Sequence, residues 1–144
     1  MDDPRRDAVY SAEHAALDDV GPRFTRWTEV VAYVDSLTTD ARWTDVFPDA
    51  PVEVEVVRRS RSARYSAAEP ARGVIHLRDG SWDASTVLHE LAHLAVGDEA
   101  NTEPHGERFV GTLLELVRTF LGFEAYGALR TELDRRGVPW RAPR

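Results

Sequence analysis

The chain has 144 residues, with hydrophobic types at 42% and charged types at 30%, the proportions of one soluble globular domain and not of a disordered or fibrous chain. Counting 18 Lys+Arg against 25 Asp+Glu gives a formal net charge of −7, which disfavours a DNA backbone or an anionic membrane as the default partner. The absence of cysteine excludes disulfide frameworks, thiolate nucleophiles and Cys-ligated zinc or iron–sulfur sites.

The opening MDDPRRDAVY is charged and leads into no apolar segment, so it does not read as a secretory signal. The apolar runs fall short of the roughly 20 residues that a membrane span needs. The expectation is a soluble, cytoplasmic, single domain over residues 1–144, with 1–6 and 138–144 as tails. An imperfect apolar stripe of Val9, Tyr10, Ala12, Ala15, Ala16, Leu17 and Val20 predicts a first helix, ended by Gly21 and Pro22. Phe24, Trp27, Val30, Val31, Val34 and Leu37 recur at spacings of three and four, predicting a second helix over about 22–37. Residues 38–51 read as a loop with one short turn that carries Trp43 and Phe47 into the core.

The period then changes to two. Val52, Val54 and Val56 alternate with Glu53 and Glu55, predicting a strand over 51–57. The Arg-rich stretch 58–72 gives turn and edge-strand signals, with Tyr65 placed in a short strand. GVIHLR (73–78) predicts another strand, with Ile75 and Leu77 on one face and Val74 and His76 on the other. Beyond Gly80 the helical period returns. Ser81 is the candidate cap of a helix to Val96, stopped by Gly97. Thr102 is the candidate cap of the next helix, which runs to Leu121. Gly122 separates that from a last helix ending near Gly137, after which Trp140 is a candidate to dock back. Helices grouped apart from a small meander-like sheet define an α+β fold.

The sharpest signal is His89-Glu90-Leu91-Ala92-His93, an H-E-x-x-H motif inside a predicted helix. Positions four apart on a helix share a face, so both imidazoles can converge on one Zn²⁺. Glu90 is turned away from that pair and is free to take a proton from the attacking water and hand it to the leaving group. From 5 His in 144 residues, chance predicts roughly 0.01 such motifs. The blander reading is two core histidines and a solvated glutamate, but two histidines inside an apolar helix would still need partners.

A catalytic zinc site ordinarily has three protein ligands plus water. His105 is the preferred third ligand, placed by a short loop in the opening turn of the following helix. A helix N-terminus there would keep its imidazole neutral. Glu99, Glu103, Glu107 and Glu115 are the weaker alternatives, and Asp79, Asp98 and Glu103 are candidate outer carboxylates for the histidines.

H-E-L-A-H (89–93) followed by H-G-E-R-F (105–109) resembles the SprT-like and related small zincin metalloproteases. It is closest to a family of small actinobacterial metallohydrolases, whose features are matched by Tyr10-Ser11-Ala12-Glu13, the strand Val74–Leu77 and Val87-Leu88 before His89. The resemblance spans about residues 7–137. It implies a minimal zincin-like domain: a small, mainly antiparallel sheet packed on N-terminal helices and an active-site helix, followed by two C-terminal helices. It implies His89, His93 and His105 as ligands of one Zn²⁺ and Glu90 as the base, with Phe109 packed beneath the site. Zincins also pair an extended peptide with an edge strand beside the active-site helix, for which Gly73–Arg78 is the candidate. His76 or Tyr65 is the candidate donor to the developing oxyanion.

The leading expectation is therefore a zinc-dependent metallohydrolase, most simply a peptidase acting on a peptide or protein substrate. One alternative is a non-catalytic metal-binding docking or regulatory protein. The other is a nucleic-acid-associated module using the patch Arg58, Arg59, Arg61, Arg64 and Arg72, for which a solvated surface is the simpler reading. The sequence sets no oligomeric state.

Overall fold

Apolar periodicity and glycine punctuation carry through into the computed structural model, which describes residues 4–97 and 104–143. Its helices are α1 (Pro4–Leu17), α2 (Trp27–Thr38), α3 (Ala41–Val46), α4 (Ala84–Val96), α5 (Glu107–Leu121) and α6 (Phe123–Arg135). Its strands are β1 (Glu55–Arg59), β2 (Ala67–Glu69) and β3 (Val74–Arg78), with a single 3₁₀ turn, Pro70–Arg72, between β2 and β3. The α+β arrangement expected from the sequence is the one found. The chain divides into two compact units, Met1–Gly21 with Glu99–Arg144, and Pro22–Asp98.

The first unit is helical. α1 packs on α6 and α6 on α5, burying Val9, Ala12 and Leu17 of α1, Phe109, Leu113, Leu116 and Val117 of α5, and Leu129 and Leu133 of α6. The α1 stripe also contains Glu13, only 5% exposed, in line with Val9 and Leu17 at a spacing of four. Gly122, at φ +102°, both ends α5 and opens α6, so the two helices turn on one residue whose backbone geometry favours glycine. α6 closes as expected at Gly137, where the Val138 N–H reaches back to the Leu133 carbonyl at 3.0 Å, a Schellman closure. Trp140 docks on α6: its indole N–H points to Asp134 at 3.4 Å, and the Arg130 guanidinium lies over its ring, 5.2 Å from the centroid. The Arg141 N–H then bonds to the Glu107 carbonyl at 3.1 Å.

The second unit holds the sheet, ordered β1-β3-β2. It is mixed: β2 runs antiparallel to β3, and β1 runs parallel to it, with Glu55 opposite Val74 and Arg59 opposite Arg78. α4 packs on β2, β3 and the 3₁₀ turn, and α2 on β1. Ile75 and Leu77 are fully buried. Because β3 has a partner on each side, its backbone groups are already engaged, and it is not the edge strand that the sequence suggested for a peptide. The edges are β1 and β2, and β2 is the one that packs on α4.

Several boundaries move for local reasons. α2 starts at Trp27 and not Pro22, because residues 22–24 pair as an extended segment with 82–84: Phe24 N–H to the Trp82 carbonyl at 2.9 Å and Ala84 N–H to the Pro22 carbonyl at 3.0 Å. The Glu29 carboxylate then accepts the Arg26 N–H at 3.0 Å and fixes the helix start. Val31 consequently lies 40% exposed, off the buried face of Val30, Val34 and Leu37. The first strand is displaced from 51–57 to 55–59, since the Trp43 indole N–H takes the Pro51 carbonyl at 2.9 Å and ties that stretch to α3. Trp43 and Phe47 enter the core as expected. α3 is capped by Asp40, which accepts the Arg42 N–H at 2.9 Å and whose carboxyl the Arg42 guanidinium holds down to about 2. Asp83, and not Ser81, caps α4 by accepting the Thr86 N–H at 2.8 Å. The proposed Thr102 cap lies outside the described residues. Among the described residues no helix is long and apolar enough to cross a membrane.

Gly111 tests how the C-terminal segment is seated. A Cβ there would meet the Arg141 carbonyl oxygen at 1.6 Å, so Gly111→Ala should destabilise the protein by about 1–3 kcal/mol in denaturant unfolding. Gly127→Ala on α6, where a Cβ meets nothing within 4 Å, should instead be neutral or stabilising by up to about 1 kcal/mol.

Candidate metal centre

α4 places two of the expected ligands. Its Asp83 cap sets where it begins, and Gly97, at φ +80°, stops it with a bond from its own N–H to the His93 carbonyl at 3.0 Å. Between these ends His89 and His93 stand four residues apart, hence on one face. Their rings lie edge-on, with centroids 5.2 Å apart and planes inclined at 66°. His89 is 1% exposed and His93 half-buried, and Glu90 is 2% exposed.

The third histidine comes from a different local structure. His105 stands in a turn just ahead of α5 and not within its first turn, with Gly106 as the N-cap. It is 6% exposed. Phe109, four residues on, sets its ring against that imidazole at 4.9 Å and 80°, and the Tyr10 ring of α1 lies at 6.2 Å and 52°.

Ligand atoms of His89, His93 and His105 all lie within 4.8 Å of one another. Three imidazole nitrogens that close can be bridged by one ion, and a three-ligand set leaves a tetrahedral ion one open position. Among the described residues this is the one group of three or more His, Asp or Glu side chains gathered in that way. Glu107 and Glu115, the described alternatives for third ligand, are not part of it. Glu115 is engaged with the Arg118 guanidinium on its own helix, with the Nε bond at 3.1 Å. Asp79, considered as an outer carboxylate, pairs with Arg58 at 2.9 Å. Asp98, Glu99 and Glu103 lie outside the described residues.

His76 sits on central strand β3, half-buried, with Nε2 at 2.5 Å from Oε2 of Glu69 on β2. That hydrogen bond first, and the Arg72 charge after it, hold the Glu69 carboxyl below the usual range against the opposing effect of desolvation. Tyr65 lies just ahead of β2 and not inside a strand; its carbonyl accepts from Arg59 at 3.1 Å and Arg64 lies 5.7 Å from its ring centroid. The arginine patch is largely spent internally, on Arg58–Asp79 at 2.9 Å, Arg72–Glu69 at 3.3 Å and Arg59 to the Tyr65 carbonyl.

The sequence presents Tyr10 as a member of an apolar stripe and of the stretch Tyr10–Glu13, but not as a neighbour of His105. The signal that could have singled it out is Glu13, a carboxylate at a core-facing position one turn further along the same helix. Comparison with protein-family models, with curated proteins and with solved structures yields no match.

A protein with this cluster should bind one divalent ion per chain, read by metal analysis after dialysis. His89→Ala, His93→Ala and His105→Ala should each weaken that binding by roughly 100-fold or more, since two imidazoles are a poor site. Affinity should fall as pH is lowered, because protons and metal compete for the same nitrogens.

Proposed function

We propose that the protein is a zinc-dependent metallohydrolase, and specifically a peptidase of the SprT-like, HExxH type acting through the domain 1–144. The observation that carries this reading is the approach of His89, His93 and His105 to within 4.8 Å of one another. An all-imidazole donor set suits zinc among the first-row ions. When bound, zinc supplies a Lewis acid for the scissile carbonyl and lowers the pKa of water at the open position to about 7.

The chain's own residues would do the rest. Glu90 follows His89 directly on α4 and is held out of bulk water. Its carboxylate would accept the proton of the attacking water and then deliver it to the departing amine, the two halves of general acid–base catalysis. An extended peptide would add to the outer edge of β2, the edge strand that packs on α4, through backbone hydrogen bonds. His76 and Tyr65 are the proposed donors to the oxyanion; with the Nε2 of His76 engaged by Glu69, its Nδ1 would have to serve.

Glu90→Gln separates this reading from a non-catalytic metal-binding role. The variant should retain its ion while peptide hydrolysis falls by about 10²–10⁴-fold. Equal turnover by wild type and variant, or loss of the ion from the variant, contradicts the assignment of Glu90 as the base.

A further inference from the structure

His89 and His93 inherit their direction from α4, but His105 does not inherit one from a helix. It stands in a turn ahead of α5, so the side chains around its imidazole must select the rotamer. Two aromatic rings flank that imidazole. Phe109 presents an edge-on contact at 4.9 Å and 80°, and it is fully buried on α5. Tyr10, half-buried on α1, lies at 6.2 Å and 52°. Both separations fall in the range where aromatic rings attract beyond simple area burial.

Tyr10 belongs to a helix that is itself packed. It is adjacent to Val9 and one turn from Glu13, both buried on α1. α1 packs on α6, and α6 packs on α5, the helix that carries Phe109. The two rings flanking His105 therefore belong to one packed set of helices.

We propose that Tyr10 is a positioning residue for the metal centre: together with Phe109 its ring fixes the His105 imidazole in the orientation that brings its nitrogen to His89 and His93. α1 is then a working part of the site although it supplies no ligand. The inference rests on the reading of the three histidines as a metal site. Its physical basis is preorganisation: a ligand already confined to its bound rotamer loses little freedom when the ion arrives. Groups that orient ligands in this way are commonly worth 10- to 100-fold in metal affinity.

The test is Zn²⁺ affinity of the full chain, measured by competition with a chromophoric chelator, alongside thermal unfolding of the metal-free protein. Tyr10→Phe keeps the ring and should bind within about twofold of wild type. Tyr10→Leu keeps apolar bulk but loses the ring, and should bind roughly 10- to 100-fold more weakly while the metal-free protein melts near wild type. Should the leucine variant not fold, Tyr10→Met serves in its place. Because Tyr10 acts through His105, the double variant Tyr10→Leu/His105→Ala should bind no more weakly than His105→Ala alone.

Wild-type affinity in Tyr10→Leu overturns the proposal, as does equal weakening in Tyr10→Phe, which would make the hydroxyl the active group. Additive losses in the double variant also overturn it. Failure of the wild type to bind Zn²⁺, or undiminished binding by His105→Ala, would instead remove the metal reading itself. The two failures are thus distinguishable.

Discussion

Imidazole nitrogens taken out of water must find a donor, an acceptor or a metal, or burial costs several kcal/mol per site by the usual accounting of orphaned polar groups. His89 is 1% exposed and His105 6%, and their ligand atoms lie with that of His93 inside a 4.8 Å cluster. One shared cation could take a lone pair from each of the three rings. Glu90, 2% exposed, stands between buried His89 and Leu91 on the same helix. The desolvation of these side chains is the constraint around which the rest of the proposed chemistry is arranged.

The two α4 histidines and the third are held by different physics. Helix geometry alone puts His89 and His93 on one face, and the Asp83 cap and Gly97 stop fix where that helix begins and ends. His105 depends on side-chain packing, on Phe109 from its own segment and Tyr10 from α1. The C-terminal segment braces α5 as well, since Arg141 bonds to Glu107 and its carbonyl occupies the space over Gly111.

The arrangement of charge bears on the choice of partner. Arginines 58, 59 and 72 are engaged with Asp79, the Tyr65 carbonyl and Glu69, so three of the five arginines of the basic cluster meet local acceptors. With a net charge of −7, nothing in this pattern favours a polyanion. The short β2 edge beside α4 is where the proposed peptide would add its backbone.

Much was readable without the fold. The 3.6 period with glycine stops marked α4, α5 and α6, and the four-residue spacing of His89 and His93 required only that their segment be helical. Trp43 and Phe47 were legible as core residues because large aromatics in a polar loop have few other places to go. The strand order was not legible: β1 pairs parallel with β3 and β2 antiparallel on its other side, and alternation says which residues share a face but never which strand lies beside which. The same limit hid the centrality of β3 and the start of α2, which yields to backbone pairing between 22–24 and 82–84. The sequence alone determined the helical pair of imidazoles and the carboxylate beside them, because local geometry suffices for neighbours on one helix. The approach of His105, and the Tyr10 ring against it, belonged to the tertiary structure, because contacts between distant segments depend on packing that no local spacing encodes.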